Sequence, residues 1–164
     1  MRRVAVVSDS HGKRFYLERF VEFCREAGVD QVFHLGDITD DAQWLRERLD
    51  VPLTNVAGNC DFRGVTEVSE TIEGKRFLLT HGHRYGVKFG YTKLSYYAEE
   101  NMYDVALCGH THRSFAGYMG RTLIINPGAL RDGSLCLMEV SQRDIVPRII
   151  NIDEWFASRR EENQ

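Results

Sequence analysis

The sequence predicts an α/β protein built from two packed β-sheets with helices outside. Three observations carry this. Through residue 57, apolar runs alternate with amphipathic stretches. That β-α-β-α-β order argues for a parallel sheet with crossover helices. From Thr66 onward strands dominate, which calls for a second sheet packed on the first. The chain has 164 residues, 43% hydrophobic and 27% charged. Those values fit one globular domain over residues 1–164 with a core of its own.

Each element has a local reason. Val4–Val7 is a continuous apolar run, as in a strand buried on both faces. Leu17, Phe20, Val21, Cys24 and Ala27 share one helical face that Gly28 closes. Residues 31–35 read as a second strand, Ala42, Leu45 and Leu49 mark a short helix, and residues 53–57 read as a third strand. Residues 66–72 and 75–80 flank Glu73-Gly74 as a hairpin. Leu94, Tyr97 and Ala98 place a helix before a strand at 105–108. Further strands follow at 114–119, 122–125, 134–140 and 145–150, and Pro147 marks the last as an edge strand or a bulge. Residues 153–164 read as a short terminal helix pinned by Trp155 and Phe156, with a frayed polar end.

Composition excludes several function classes. There are 21 Lys and Arg against 24 Asp and Glu, a net charge of −3. That lacks the basic surplus a nucleic-acid footprint requires. No apolar run reaches the ~18 residues of a membrane span. The start, Met1-Arg2-Arg3 and a short apolar run, lacks the apolar length and cleavage site of an export signal. Cys24, Cys60, Cys108 and Cys136 form no C-x-x-C, so reduced cysteines in a cytoplasmic protein are expected.

Five short polar motifs each follow an apolar run: Asp9-Ser10-His11, Gly36-Asp37, Gly58-Asn59-Cys60-Asp61, His81-Gly82-His83 and Gly109-His110-Thr111-His112. Ligand crevices in open α/β sheets lie beyond the carboxyl ends of strands, so parallel strands would gather all five on one rim. Taken singly, Asp-x-His is a cap or a turn, and Gly-Asp is a turn. Together they supply carboxylate, imidazole and amide oxygen, the donors of divalent cations. In an extended segment, residues i and i+2 point to one side. Asp9 and His11 would then share a metal, His110 and His112 would face adjacent metals, and the two oxygens of Asp37 would bridge the pair. Gly36, Gly58, Gly82 and Gly109 would let the backbone turn sharply beside the ions.

This ordered set resembles the calcineurin-like metallophosphoesterases over about residues 4–150. The short chain, Gly58-Asn59-Cys60-Asp61, Thr80-His81-Gly82-His83 and Ile125-Asn126-Pro127-Gly128 are similar to the small prokaryotic phosphodiesterase subgroup. The retromer subunit with a phosphoesterase fold is a more distant relative. The resemblance implies a four-layer αββα sandwich of two mixed β-sheets flanked by helices. It also implies two divalent metal ions. Asp9, His11, Asp37 and His112 would hold one; Asp37, Asn59, His81 and His110 would hold the other. Manganese is typical of the family, and iron, zinc and nickel are the alternatives.

The chemistry implied is hydrolysis of a small phosphodiester. A hydroxide shared by two cations attacks phosphorus in line while both cations neutralise the phosphoryl oxygens. Asp37, Asn59 and His81 sit at the reaction centre, with Cys60 and His83 beside them. Many relatives carry histidine where this chain has Cys60. Cys60 is then a small space-filler or a catalytic thiol, and either way the enzyme lacks strong acid assistance and favours good leaving groups. His83 orients His81, meets substrate phosphate, or is a loop histidine bonded to backbone.

His34 reads as a satisfied core histidine, and Asp61 as a brace for the Asn59 loop. Arg63 and Arg84 are either phosphate contacts or solvated, and Asn126-Pro127-Gly128 is a turn before it is a site wall. Tyr85, Phe89, Tyr91, Tyr96 and Tyr97 are candidates for an aromatic mouth around a nucleoside or aryl group. Nucleotide-like diesters are therefore among the candidate substrates, no membrane partner is indicated, and Trp155 and Phe156 leave a homo-oligomer open. The competing classes are a non-catalytic protein-binding scaffold of the same fold and a nuclease.

Overall fold

The computed structural model describes residues 1–164. Its first sheet contains β1 (Arg2–Val7), β2 (Gln31–His34), β3 (Leu53–Asn55), β9 (Ser134–Val140) and β10 (Ile145–Asn151), in the order β10-β9-β1-β2-β3. β1, β2 and β3 run parallel, while β9 is antiparallel to both β1 and β10. The second sheet contains β4 (Glu67–Ile72), β5 (Lys75–Thr80), β6 (Val105–Leu107), β7 (Ser114–Met119) and β8 (Thr122–Pro127), in the order β4-β5-β6-β8-β7. Here β5, β6 and β8 are parallel, and the edge strands β4 and β7 are antiparallel.

Strand alternation separates the layers. Val4, Val6, Phe33, Leu35, Phe77, Leu79, Val105, Leu107, Leu123 and Ile125 pack together between the sheets. Their neighbours on the same strands point the other way. Ala5, Val7 and Val32 meet α1 (Arg14–Glu26), α2 (Thr39–Arg48) and α4 (Ile152–Glu162) through Leu17, Phe20, Leu45 and Phe156. Leu78, Ala106 and Ile124 meet α3 (Thr92–Glu100) through Leu94 and Ala98. Helices, sheet, sheet and helix make the four layers of the αββα sandwich. Phe33 and Phe77 are fully buried between the sheets. Burying a side chain of that size contributes about 1.5–3 kcal/mol.

Several boundaries shift from expectation. β3 ends at Asn55 rather than Ala57, whose N–H turns to the Val65 carbonyl at 2.8 Å. β8 extends past Ile125 to Pro127, because Asn126 and Pro127 still pair with Phe115 and Ser114. α2 ends at Arg48, with Leu49 as its extended C-cap. Neither Asp9 nor Ser10 caps α1, whose N-cap is Lys13 with no side-chain bond. Pro147 does lie on the edge strand β10. α4 starts at Ile152, capped by the Asn151 side chain accepting from the Glu154 N–H at 3.1 Å. Trp155 packs edge-on against Phe23 at 4.8 Å and Phe156 at 4.9 Å, so both aromatics are used within the chain. All four cysteines are free, and only Cys60 is exposed. No helix is long and apolar enough to cross a membrane.

Candidate metal centre

The five motifs follow β1, β2, β3, β5 and β6 and meet where the two sheets present their carboxyl ends. Backbone bonds tie them together. The Asp9 N–H donates to the Gly36 carbonyl at 2.7 Å, and the Gly109 N–H to the His81 carbonyl at 2.9 Å.

The ligand atoms form two overlapping groups, Asp9 with His11 and His112, and Asp9 with Asp37 and His81. Within each group these atoms lie within 4.8 Å of one another. His112 Nε2 lies 3.1 Å from Asp9 Oδ1, and His11 Nε2 lies 3.7 Å from Asp9 Oδ1 and 3.8 Å from Asp37 Oδ2. His81 Nε2 lies 3.4 Å from Asp37 Oδ2, 3.0 Å from Asn59 Oδ1 and 3.1 Å from His110 Nδ1. All seven residues proposed as ligands therefore converge. Asp9 stands in both groups, so the geometry does not confine it to the first.

The donor set fits cations on its own chemistry. His81 Nδ1 lies 2.8 Å from the Leu35 carbonyl, which can only accept. An Nδ1 proton is thus committed to that carbonyl, and Nε2 is the ring nitrogen that faces the cluster. There it faces carboxylate oxygen, amide oxygen and a second imidazole nitrogen. His11 Nε2 is buried without any hydrogen-bond partner. Carboxylate, amide and imidazole groups gathered this closely, with one imidazole nitrogen unpartnered, are what a metal site presents before loading.

The outer carboxylate oxygens are already engaged. Asp9 Oδ2 accepts from the Ser8 hydroxyl at 2.7 Å and the His110 N–H at 2.9 Å, leaving Oδ1 to the cluster. Asp37 Oδ1 accepts from the Cys60 N–H at 3.0 Å, leaving Oδ2 between His11 and His81. One oxygen of Asp37, not two, therefore faces both groups. Burial raises the Asp37 pKa, but the Cys60 amide and the nearby His81 outweigh it and hold the carboxyl below its ordinary value. Burial and then His81 lower the pKa of His110, which favours the neutral ring.

The backbone departs from the extended geometry expected at the i, i+2 pairs. Asp9, His11, His110 and His112 have φ of 53°, 47°, 69° and 62°. Left-handed conformation costs a non-glycine residue on the order of 1–3 kcal/mol and persists only where the surroundings impose it. The glycines also act differently from expectation at two positions. Gly58 and Gly109 do not have positive φ; they leave space. A Cβ on Gly58 would lie 2.0 Å from Asp37 Oδ1, and one on Gly109 would lie 2.1 Å from Ser8 Oγ.

Buried polar groups hold these loops, His34 as the satisfied core histidine expected among them. The Gly36 N–H donates to His34 Nδ1 at 3.2 Å, so His34 carries its proton on Nε2, 2.9 Å from Ser10 Oγ. Ser10 donates in turn to Asp41 Oδ2 at 2.7 Å, which also accepts from the Gly12 N–H. Asn126 donates to the Gly109 carbonyl at 3.0 Å and to Thr111 Oγ1 at 2.9 Å, bracing the loop of His110 and His112. Ser8 and Asn126 had a signal, a polar residue at the end of an apolar run. Asp41 had none, because an acidic residue in a first helical turn is explained by the helix dipole.

Asp61 braces its loop, accepting from the Thr39 and Gly58 N–H groups at 2.7 Å each. Cys60 is exposed; burial of its sulfur and the charges of Asp37, Asp61 and Asp9 push its pKa up, so it stays a thiol. His83 lies with its ring 5.5 Å from that of His81, but the Leu35 carbonyl, not His83, orients His81. No common aromatic mouth forms. The Tyr85 and Tyr97 hydroxyls both turn to Glu67, and Tyr91 stacks on Phe115 at 4.9 Å. Phe89 and Tyr96 are exposed.

Residues 1–143 match the family model of the calcineurin-like phosphoesterase superfamily domain. The chain belongs to this superfamily. Among curated relatives, the probable metallophosphoesterase YsnB of Bacillus subtilis is 36% identical over 130 residues, covering 78% of this chain and 75% of the relative. Phosphodiesterase MJ0936 of Methanocaldococcus jannaschii is 25% identical over 143 residues, covering 77% and 82%. The crystal structure of a predicted phosphoesterase from Streptococcus pneumoniae superposes with a TM-score of 0.75 at 27% identity, covering 93% of this chain and 90% of that one. Vps29 of Entamoeba histolytica, solved with zinc, shares the fold at a TM-score of 0.72 and 17% identity, covering 92% and 99%. The two mixed sheets with flanking helices are the metallophosphoesterase fold.

Two outcomes test this geometry. Gly58→Ala should displace Asp37 and weaken manganese binding by about 10–100-fold, the range for losing a ligand's support. Calorimetric titration of the purified variant reads this, and unchanged affinity would show that Asp37 has room to spare. The second concerns acid stability without metal. Burial lowers the His34 pKa from 6.5 to about 4. Between those values the unfolded chain binds a proton that the folded chain refuses, so stability falls as pH drops below 6.5. The full difference is about 3 kcal/mol. Urea melts from pH 7 to pH 4 should show a shallower decline in His34→Gln than in the unmodified chain.

Proposed function

We propose that this chain is a metal-dependent phosphodiesterase that hydrolyses small phosphodiesters at a dinuclear centre. The carrying observation is the convergence of carboxylate, imidazole and amide groups around one point, with His11 Nε2 buried and unpartnered among them. Relatives named as metallophosphoesterases and a phosphodiesterase support the same reading. One ion would take Asp9, His11, Asp37 and His112, and the other Asp37, Asn59, His81 and His110. Bound divalent ions supply Lewis acidity toward phosphoryl oxygens and make water a competent nucleophile near neutral pH. Manganese leads among the ions, followed by iron, zinc and nickel; the donor set is oxygen and nitrogen without thiolate.

The chain's own residues prepare that chemistry. Ser8 and the His110 amide hold one oxygen of Asp9, and the Cys60 amide holds one oxygen of Asp37. Each carboxylate thus presents a single oxygen inward. The Leu35 carbonyl fixes the tautomer of His81. Cys60 and His83 flank the reaction centre, and neither is a strong acid there. Burial, His81 and Arg84 lower the His83 pKa, leaving it neutral. The leaving group therefore departs with little proton assistance. One domain over residues 1–164, working in a reducing cytoplasm with its four cysteines unpaired, completes the reading. The donor set argues against a scaffold, which has no need to keep a competent ligand at every position.

Hydrolysis of bis-p-nitrophenyl phosphate should require an added divalent ion. Asp37→Ala should lower it at least about 100-fold, since even indirect partners of a metal ligand are worth 10–100-fold. Because histidine must be neutral to ligate, activity should fall as pH drops through about 6.5. Metal-loaded protein that turns over no diester would favour the scaffold. Cys60→His should flatten the dependence of kcat on leaving-group pKa, measured across a series of aryl diesters. An unchanged slope would show that position 60 does not bear on leaving-group departure.

A further inference from the structure

The loop after Asn59 displays Phe62 with its side chain fully exposed, at 104% of the reference area. Two grooves, of about 360 Å³ and about 440 Å³, flank this loop, and Phe62 and Arg63 line both. The smaller one also contains Asn59, His83 and Arg84, so it runs from the metal centre to the Phe62 ring. Volumes of this size suit a small ligand. The ring stands on a fixed support, because Asp61 ties the loop to the Thr39 and Gly58 amides. The Arg63 and Arg84 side chains are exposed and make no ion pair or hydrogen bond within the chain. Phe89 is equally exposed at 98% but lines neither groove.

We infer that Phe62, with Arg63 and Arg84, forms a subsite that selects phosphodiesters carrying a nucleoside; this rests on the phosphodiesterase reading. A diester has two arms on its phosphorus. With the phosphorus at the metal centre, one arm lies along the groove from Asn59 to Phe62. An exposed aromatic face at the groove's end stacks a planar base, and it does so whatever the base, since each has a π-face. Two unpaired guanidinium groups beside it favour an anionic or hydrogen-bonding sugar-phosphate over an alkyl chain. A lone exposed phenylalanine would mean nothing. This one adjoins the reaction centre, between two grooves and next to free cations.

The test holds the leaving group constant and varies the other arm. The manganese-loaded protein is assayed on p-nitrophenyl thymidine 5′-phosphate and on p-nitrophenyl methyl phosphate. In Phe62→Ala the ratio of the two kcat/KM values should fall about tenfold, the loss of one base–aromatic stack. Phe62→Tyr should restore the ratio, and Phe89→Ala should leave it alone. A ratio unchanged in Phe62→Ala overturns the subsite. Should the unmodified protein hydrolyse neither diester, the phosphodiesterase reading fails and binding decides the subsite. Phe62→Trp then reports by fluorescence: quenching by thymidine 5′-monophosphate beyond that of the unmodified chain upholds the stack, and no added quenching overturns it.

Discussion

Lone pairs aimed at one point repel, and this repulsion is the constraint on which the rest of the structure depends. Asp9 Oδ1, Asp37 Oδ2, Asn59 Oδ1 and nitrogens of His11, His81, His110 and His112 share a few ångströms of space. His11 Nε2 finds no hydrogen-bond partner among them, and His81 has committed its Nδ1 proton to Leu35. The fold must therefore hold these groups together before any ion arrives. Left-handed backbone at four of the seven residues shows the strain of doing so.

What balances that strain is spread through the neighbouring layers. The inter-sheet core fixes β1, β2, β5 and β6, whose ends carry the motifs. Buried hydrogen bonds then fix the loops. Ser10 and the Gly12 amide lean on Asp41 of α2, and the Gly36 amide leans on His34. Asn126 of β8 supports the loop of His110 and His112. The first and last motifs are thus held by elements other than the strands that precede them, and Gly36 by the last residue of its own strand. Two glycines complete the arrangement by leaving space: any side chain at 58 or 109 would collide with Asp37, or with Ser8 and Asp9.

The sequence makes some of this legible and hides the rest for identifiable reasons. Apolar runs that end abruptly in Asp, His or Asn mark both the strands and the rim, because burial and ligand chemistry are written in residue type. Conformation is not. An i, i+2 pair reads the same whether extended or left-handed, and so the turns at Asp9–His11 and His110–His112 were invisible. Long-range pairing is hidden too: nothing near β1 announces that β9, more than a hundred residues later, lies beside it. The tyrosines after His83 resemble a binding mouth in sequence, but Glu67, on a different strand, captures the hydroxyls of Tyr85 and Tyr97. Composition reveals which groups are present; only packing decides which are already satisfied.

The loop from Gly58 to Arg63 shows how closely these requirements are combined. Gly58 lets the chain approach Asp37, and Asn59 turns its oxygen to His81. The Cys60 amide then holds the outer oxygen of Asp37, and Asp61 turns back to anchor the turn on two amides. Four consecutive residues are thus committed to geometry within the centre, three through backbone spacing or side chain and Cys60 through its amide alone. Phe62 and Arg63 come next and carry no such duty; they point outward at the grooves. A rigid inner turn that ends in two free side chains separates the demands of the chemistry from those of recognition. Substitution at 62 or 63 can change what binds without disturbing the cluster, whereas substitution at 58, 59 or 61 removes a contact that shapes it.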